Sequence, residues 1–338
     1  MAEQDLASTA KAMVAPGKGI LAADESSPTI KKRFDLIATE STEENRRSYR
    51  QMLFTTPGIS DFISGVILFD ETIRQADSNG TPLAEVLAAQ GVIPGIKVDK
   101  GAKPLAGFSG EKVTEGLDGL RERLAEYRLM GARFAKWRAV ITIGDDIPSD
   151  FCLHANAHAL ARYAALCQEA EIVPIVEPEV LMDGEHTLER CEQVTAAALD
   201  LVFGELIEHK VDLTGIVLKP NMVISGSECS QRADVREVAE ATVRCLKAHV
   251  PESVPGIAFL SGGQSAEEAT AHLSAMNELG PHPWELTFSY GRALQAPVLS
   301  AWGGDPAKLT SGQDALFKRA RLNGLARTGD YSPDLEAA

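Results

Sequence analysis

The chain has 338 residues, of which 44% are hydrophobic and 24% are charged, an ordinary composition for a globular protein. Its formal net charge of −15 argues against a nucleic-acid or anionic-membrane partner, since both require a basic surface. No apolar run approaches membrane-spanning length, and the first residues lack the pattern of a signal peptide. We therefore expect a cytoplasmic protein in which residues 1–16 form a short helical extension on the surface.

Cysteines and histidines give little reason to expect a metal. The five cysteines are scattered and include no CxxC pair, which indicates reduced, buried thiols. His154 and His158 stand one helical turn apart, a spacing that can hold a metal ion, but no acid follows at the spacing of a known zinc motif. Two histidines on one helix face is the simpler interpretation, so we expect no metal and no cofactor.

Short apolar runs recur along the chain and alternate with segments that have helical spacing. The predicted strands cover residues 19–24, 64–70, 93–99, 133–138, 172–179, 215–220, 256–263 and 286–292. Helical spacing covers 149–169, 187–209 and 233–248. Two further helices are expected to begin with capping boxes, one formed by Ser41 and Glu44 and one by Ser265 and Glu268.

Alternating strands and helices, without a Pro/Ser-rich linker, predict one α/β domain over residues 1–338 that ends in a polar tail at 328–338. The eight predicted strands match the number in a (β/α)8 TIM barrel. An open doubly wound sheet is the competing fold. It would be expected to carry a glycine-rich dinucleotide motif after its first strand, where this chain has GILAADESS. We predict a single TIM barrel.

Charged residues end or follow most of the predicted strands. They are Asp24, Lys100, Lys136, Arg138, Glu177, Glu179, Lys219 and Arg292, and the seventh strand ends in Ser261, Gly262 and Gly263. In a barrel these ends converge on one mouth, where barrel active sites lie. Because side chains alternate along a strand, Lys136 is expected to share a face with Arg138, and Glu177 with Glu179.

Lys219 follows an apolar run that ends at Pro220, which predicts a lysine at the end of an interior strand. Taken alone, this pattern is more often a lysine whose ammonium reaches solvent. The alternative is an amine made nucleophilic by burial and a neighbouring cation, for which Lys136 is the candidate. Nearby carboxyls would suit imine chemistry, because carbinolamine formation and dehydration need an acid and then a base.

Two groups of cations near the predicted mouth indicate anion binding. Arg292 and the residues 261–263 lie where barrels often hold a phosphate. A second anion could be bound on the opposite side by Ser26, Arg33, Lys100 and Arg138. Two anion sites that flank an amine suggest a bisphosphorylated carbonyl compound as the substrate, attracted by a local cationic patch on an acidic protein.

Several motifs occur in order along the chain: LAADES, GIKVDKG, FAKWR, VPIVEPE, LKPNM, LSGGQS and SYGRALQAP. In these motifs, from about Lys18 to about Asn323, the chain resembles the class I (Schiff-base) fructose-1,6-bisphosphate aldolases. The resemblance implies a metal-independent lyase of glycolysis and gluconeogenesis. Such an enzyme reversibly cleaves fructose 1,6-bisphosphate to dihydroxyacetone phosphate and glyceraldehyde 3-phosphate. The resemblance also implies a homotetramer.

The resemblance implies roles for individual residues. Lys219 would form the Schiff base, Glu177 would dehydrate the carbinolamine, and Glu179 would hold the lysine. Asp24 would accept the C4-hydroxyl proton as the C3–C4 bond breaks, and Lys136 would stabilise charge near the carbonyl and C4 oxygens. The C1-phosphate would be bound by Ser261, Gly262 and Arg292, and the C6-phosphate by Ser26, Lys100 and Arg138, with Arg33 as a further contact.

The sequence departs from the family pattern in two places. It closes on DLEAA after Tyr331, without the terminal tyrosine that helps many members to protonate the enamine. That step would then fall to Glu177, to water or to Tyr331. Pro28-Thr29 replaces an expected Gly-Ser, which predicts a stiffer loop beside the C6-phosphate.

Other functions stay open on the sequence. One is another Schiff-base sugar-phosphate aldolase or a transaldolase, and a second is a metal-dependent aldolase centred on His154 and His158. A third is a catalytically silent barrel kept as a scaffold. The silent barrel predicts a degraded set of amines and carboxylates, whereas Asp24, Lys136 and Lys219 are all present.

Overall fold

Eight parallel strands close into a barrel in the structure, a computed structural model that describes residues 5–337. The strands are β1 (Gly19–Ala23), β2 (Ile63–Leu68), β3 (Ile93–Lys97), β4 (Ala102–Pro104), β5 (Lys112–Thr114), β6 (Phe134–Ile141), β7 (Val173–Val180), β8 (Val217–Leu218), β9 (Gly256–Phe259) and β10 (Glu285–Tyr290). Strands β4 and β5 form a separate antiparallel hairpin. Each of the other strands lies within or overlaps a predicted strand, and the TIM-barrel prediction is confirmed.

Helices surround the barrel. They are α1 (Leu6–Met13), α2 (Ser27–Asp35), α3 (Glu43–Phe54), α4 (Asp70–Ile73), α5 (Leu83–Ala88), α6 (Leu120–Leu129), α7 (Asp150–Glu169), α8 (Leu188–Glu208), α9 (Val235–His249), α10 (Ala266–Glu278), α11 (Arg292–Trp302) and α12 (Leu309–Ala326). The helical predictions at 149–169, 187–209 and 233–248 correspond to α7, α8 and α9. Within residues 5–337, no helix has both the length and the apolar character that crossing a bilayer requires.

One of the two predicted capping boxes is present. Ser265 caps α10, and its backbone N–H in turn donates a hydrogen bond to Oε2 of Glu268 at 3.0 Å. The Ser41 prediction is wrong, because the backbone enters α3 one residue later. Thr42 is the N-cap there, and its hydroxyl accepts the backbone N–H of Asn45 at 3.1 Å.

The order of the strands decides which residues face one another at the mouth. Around the barrel the order is β1, β10, β9, β8, β7, β6, β3 and β2. In this closed ring β9 lies opposite β3, and β10 lies opposite β6. All the strands are parallel, so their carboxyl ends lie at the same end of the barrel.

The inward face of the strands changes from apolar to charged along their length. On β7, Val173 and Ile175 belong to the apolar cluster inside the barrel, and Glu177 lies two residues further along the same face. Strand β8 follows the same pattern, with Val217 in the cluster and Lys219 two residues later. Because alternate residues share a face, the apolar layer fills the amino end of the barrel and charged groups remain at the carboxyl end.

Helix α1 closes the amino end of the barrel. Ala10 and Met13 are fully buried and belong to the same apolar cluster as the inner faces of β7 and β8. A Cβ on Gly256, at the start of β9, would lie 2.7 Å from the Val14 side chain, so this segment packs directly on the strand starts. The expectation of a helix on the surface is therefore wrong for one face, because residues three apart on α1 present a small apolar stripe to the barrel.

Arg327, which follows α12, connects the chain after α1 to β10. Its guanidinium donates hydrogen bonds to the backbone carbonyl oxygens of Val14 at 3.1 Å, Lys18 at 2.7 Å and Leu286 at 3.0 Å. It also pairs with Glu285. The Arg327 side chain is buried, and it shares the carbonyl oxygen of Lys18 with the hydroxyl of Thr287, which donates to it at 2.7 Å.

Replacing Arg327 with methionine is expected to lower the free energy of unfolding by about 3 kcal/mol, because the hydrogen bonds from a buried guanidinium to several backbone carbonyl oxygens are lost. Urea denaturation followed by circular dichroism measures the change. Arg236→Met is the control, since Arg236 forms an exposed pair with Glu240 on α9 and its loss should leave the midpoint unchanged. Equal midpoints for both variants would contradict the role given to Arg327.

Candidate active site

The carboxyl ends of the barrel strands surround a cavity of about 510 Å³. Of the residues singled out from the sequence, those that line it are Asp24, Ser26, Arg33, Lys136, Arg138, Glu177, Glu179, Lys219, Ser261, Gly262, Gly263 and Arg292. The structure thus brings these side chains to one place from the ends of six different strands, β1, β6, β7, β8, β9 and β10. Lys100 does not line the cavity.

Lys219 lies directly after β8 and is buried. Its backbone N–H donates to the carbonyl oxygen of Val176 at 2.8 Å, which continues the pairing with β7 beyond the end of the strand. Its ammonium lies 3.1 Å from Oε1 of Glu177. The alternative of a lysine that reaches solvent therefore does not describe this residue.

The ammonium of Lys136 lies among three carboxylates. It is 3.1 Å from Oδ2 of Asp24, 3.1 Å from Oε2 of Glu177 and 3.9 Å from Oδ2 of Asp99. Burial by itself lowers the pKa of Lys136, but Asp24 and Glu177 together raise it above its ordinary value. Conversely, burial raises the pKa of Asp24, but the cations Lys136 and Lys219 lower it well below its ordinary value. At neutral pH Lys136 is a cation and Asp24 is an anion.

Glu177 rather than Glu179 contacts the buried lysine. One oxygen of Glu177 faces Lys219 and the other faces Lys136, so its carboxylate bridges two ammonium groups. Glu179 instead pairs with the guanidinium of Arg138. The reason is the register of β6 and β7, which sets Arg138 beside Glu177 and lets its long side chain reach Glu179, one inward position further along. The contact that the resemblance implied for Glu179 is thus made by Glu177.

Lys97, not Lys100, is the lysine that β3 brings to the cavity. Strand β3 ends at Lys97, which pairs in register with Lys136 and lines the cavity with it. The ammonium of Lys97 lies 2.5 Å from Oδ1 of Asp99. Lys100 is exposed in the following loop, where its backbone N–H bonds to the carbonyl oxygen of Glu115 at 2.8 Å. The alternation of side chains along GIKVDK was the signal that favours Lys97.

Cations lie on two opposite sides of the cavity. Arg292 follows β10, and residues 261–263 follow β9. Across the mouth from them lie Arg138 on β6 and Lys97 on β3. Lys219, on β8, is next to the first side. The cavity can therefore hold two anionic groups with the buried amine near one of them.

Arg33 belongs to the Arg292 side rather than to the opposite side. A Cβ built on Gly291 would lie 3.8 Å from Nη2 of Arg33. This position follows from the closed barrel, in which β1 and β10 are neighbours, so the helix after β1 stands beside the end of β10.

The glycines after β9 have packing roles as well as a place in the cavity. Gly262 has φ +55°, a backbone conformation that favours glycine. A Cβ on Gly263 would lie 2.6 Å from the sulfur of Met182, and the backbone N–H of Gly263 donates to this sulfur at 3.1 Å. The N–H of Gly263 is thus already used.

Pro28 and Thr29 lie in the first turn of α2, not in a loop. Ser26 is the N-cap of this helix, and proline suits the first turn because its missing N–H would be unpaired there anyway. The hydroxyl groups of Ser26 and Thr29 lie 3.2 Å apart, and both residues line the cavity. The predicted stiffness therefore belongs to the start of a helix that carries two hydroxyl groups.

Glu25 and Ser289 also line the cavity, although no sequence pattern indicated them. Glu25 is buried and pairs with Arg33 and with Arg50. Burial raises its pKa, but these two guanidinium groups lower it below its ordinary value, so Glu25 stays ionised and fixes Arg33. Ser289 lines the cavity, and within the described residues its buried hydroxyl has no hydrogen-bond partner. Glu25 directly follows Asp24, and because side chains alternate along a strand, only Asp24 was expected to face the mouth.

Tyr331 lies outside the cavity. Its hydroxyl donates to Oε1 of Glu336 at 2.9 Å, and Arg319 holds the same carboxylate at 2.5 Å. Burial raises the pKa of Tyr331 to about 12. In this arrangement Tyr331 does not reach the buried lysine.

His154 and His158 do not share a site. Nδ1 of His154 contacts the backbone carbonyl oxygen of Asp150 at 2.8 Å, whereas Nδ1 of His158 lies 3.0 Å from Oε2 of Glu205. Both histidines are on α7, outside the barrel, and neither lines the cavity at the mouth.

Comparisons with known proteins agree with this geometry. A family model described as fructose-bisphosphate aldolase class-I matches residues 5–338. The probable fructose-bisphosphate aldolase class 1 of Xanthomonas campestris pv. campestris is 60% identical over 332 residues, which is 98% of this chain and 99% of the relative. Fructose-bisphosphate aldolase 1 of Toxoplasma gondii is 53% identical over 330 residues, covering 97% of this chain and 91% of the relative.

A solved structure is similar over nearly the whole chain. The fructose-bisphosphate aldolase of Plasmodium falciparum, in complex with TRAP and a small-molecule inhibitor, superposes with a TM-score of 0.96 at 52% identity, covering 97% of this chain and 95% of that chain. The fold and these matches define a carbon–carbon lyase built on a TIM barrel. The chain belongs to the class I fructose-bisphosphate aldolase family, and its activity is that of a fructose-bisphosphate aldolase. The functional prediction is confirmed.

The different positions of Lys97 and Lys100 predict different effects of the same substitution on activity. Lys97→Met is expected to lower kcat/KM for fructose 1,6-bisphosphate by at least about tenfold, because a charged hydrogen bond to a phosphate is lost. Lys100→Met removes the same charge only three residues away and should leave kcat/KM within about twofold. Steady-state kinetics at fixed ionic strength measures both. A larger loss for Lys100→Met would contradict the placement of these side chains.

Proposed function

We propose that Lys219 is the amine that forms the Schiff base with the ketone of fructose 1,6-bisphosphate. The observation that carries this proposal is the buried ammonium of Lys219, 3.1 Å from a carboxylate that also contacts Lys136. Glu177 can accept the proton that Lys219 must lose before it attacks a carbonyl carbon. The same carboxyl can then protonate the carbinolamine hydroxyl, which leaves as water.

Cleavage would follow from the protonated imine. The imine withdraws electrons from the C3–C4 bond as Asp24 accepts the proton of the C4 hydroxyl. Glyceraldehyde 3-phosphate leaves, and an enamine remains on Lys219. Lys136 holds Asp24 ionised, which a base requires, and its charge would stabilise the oxygen at C4 as the bond breaks. As Lys136 turned toward that oxygen, Asp24 would become a stronger base.

The enamine must then gain a proton at C3 before hydrolysis releases dihydroxyacetone phosphate. Tyr331 is held by Glu336 and lies outside the cavity, so it is not positioned for this step. We assign the proton transfer to Glu177, which is already within reach of the lysine nitrogen, or to a water molecule that Glu177 orients.

The two cationic sides would bind the two phosphates. We assign the C1-phosphate to the side formed by Ser261, Gly262, Arg33 and Arg292, because Lys219 on the neighbouring strand must reach C2. We assign the C6-phosphate to the opposite side, formed by Ser26, Lys97 and Arg138. The opposite placement of β10 and β6 in the closed barrel supports this assignment.

Fructose 1-phosphate distinguishes the roles of the two sides, because it lacks the C6-phosphate. Arg292→Met is expected to lower kcat/KM by at least about tenfold for both the bisphosphate and fructose 1-phosphate. Lys97→Met should affect the bisphosphate and leave fructose 1-phosphate within about twofold. Equal losses on the two substrates for Lys97→Met would contradict the assignment of the sides.

Borohydride trapping tests the amine. Reduction in the presence of fructose 1,6-bisphosphate should attach the substrate to the peptide that contains Lys219, and mass mapping identifies it. Lys219→Met, which fills a similar volume, should lower kcat by at least about 10⁴-fold and abolish trapping. Lys100→Met serves as the control for both readouts, and full activity should persist in a strong chelator. Trapping on another lysine would overturn the proposal.

We further propose that the chain acts in the cytoplasm as one domain over residues 1–338 and as a homo-oligomer, for which the family resemblance implies a tetramer. Light scattering of the native protein would give its mass, and a monomer would contradict this part of the proposal.

A further inference from the structure

A second cluster of ligand-type side chains lies outside the barrel and takes no part in the proposed reaction. It consists of His158 on α7, Glu205 on α8 and His209, which directly follows α8. Nδ1 of His158 lies 3.0 Å from Oε2 of Glu205, and Nδ1 of His209 lies 3.5 Å from the same oxygen. One potential ligand atom of each residue lies within 4.8 Å of the other two. None of the three lines the cavity at the barrel mouth.

Local structure holds the three side chains toward one another. Glu205 and His209 are one helical turn apart and therefore lie on the same side of α8. The ring of His209 also contacts the backbone carbonyl oxygen of Glu205 at 2.9 Å, which fixes its orientation at the end of the helix. The rings of His158 and His209 meet edge to face, with their centroids 5.0 Å apart. Two imidazoles thus converge on one carboxylate from two different helices.

We propose that His158, Glu205 and His209 bind a divalent transition-metal ion of the zinc type and thereby link α7 to α8. Two histidines and one carboxylate, with water in the fourth position, form a donor set that Zn²⁺ accepts in tetrahedral geometry. Imidazole nitrogens select zinc-type ions over Mg²⁺ and Ca²⁺, which prefer oxygen ligands. The site is separate from the chemistry, so it would act on the stability of the helical layer.

The distances allow this geometry after a small contraction. Metal–ligand bonds of about 2.0–2.2 Å place the ligand atoms of a tetrahedral site about 3.4 Å apart. The ligand atoms lie within 4.8 Å of one another, and any separation above about 3.4 Å can shorten by rotation of the His158 side chain, of which 52% is exposed. Both histidines border a surface depression of about 580 Å³, which leaves room for a metal-bound water.

The surrounding charges do not oppose a cation. The depression is also lined by two acids and two bases, Asp118, Glu122, Arg121 and Arg162. These formal charges cancel, and the carboxylate of Glu205 adds a negative charge at the centre of the cluster. His154, the other histidine of the pair noted in the sequence, is not part of the site, because the three ligand-type side chains that converge are those of His158, Glu205 and His209.

Zinc titration of the full-length, metal-free protein tests the proposal. Calorimetry in the presence of a phosphine reductant should give one Zn²⁺ per chain, and the thermal midpoint should rise with zinc concentration. Co²⁺, used as a spectroscopic probe, should give the visible absorption of a four-coordinate ion that Zn²⁺ displaces. His158→Gln and His209→Gln should each weaken zinc binding by at least about tenfold, because one of three protein ligands is lost.

His154→Gln is the matched control, because it alters an exposed histidine one turn away on the same helix and should leave zinc binding unchanged. All three variants should keep their aldolase activity, which also shows that they fold. Absence of stoichiometric binding would overturn the proposal. So would binding that persists unchanged in His158→Gln and His209→Gln, since the metal would then sit elsewhere, or a loss in His154→Gln as large as theirs.

Discussion

The carboxylate of Glu177, held between the ammonium groups of Lys219 and Lys136, is the interaction on which the site depends. Two buried cations so close to each other would be strongly destabilising without it, because desolvation opposes each charge and the charges repel. Asp24 and Asp99 supply further negative charge around Lys136. The cluster therefore keeps a second cation beside the amine, and it keeps a carboxylate 3.1 Å from the amine nitrogen.

The barrel creates this cluster by a simple rule of alternation. On the inward face of β7 and β8, apolar residues at the amino end are followed, two residues later, by charged ones. The apolar layer excludes water from below, and α1 completes it by burying Ala10 and Met13 against the strand starts. The charged groups thus pack on an apolar layer and face solvent only at the mouth of the barrel. In such surroundings each ion pair is stronger than it would be at a surface, and each unpaired charge is less tolerable.

The sequence alone predicts the strands, the barrel and most residues at its mouth, because alternation and strand ends are local properties. It does not predict contacts that depend on register or closure. Lys97 and Lys100 both lie near the end of β3, and the alternation of side chains favours Lys97 only once the register of β3 against β6 is known. Glu179 loses its expected partner because β6 and β7 set Arg138 within its reach. Arg33 lies on the Arg292 side of the cavity, not on the opposite side as predicted, because β1 pairs with β10. The burial of α1 likewise depends on the amino end of the closed barrel, a surface that forms only when distant strands come together.

The cations at the mouth differ in whether they are already paired, and this difference bears on how an anion would enter. Lys97 pairs with Asp99, Arg138 with Glu179, and Arg33 with Glu25, whereas Arg292 makes no ion pair among residues 5–337. A phosphate at Arg292 gains a partner without displacing a carboxylate, while a phosphate on the opposite side must compete with Asp99 and Glu179. If the proposed assignment of the phosphates is right, the Arg292 side would be the stronger anchor of an arriving bisphosphate. Anchoring there first would place the ketone beside Lys219, on the adjacent part of the barrel, before the other end of the sugar is held.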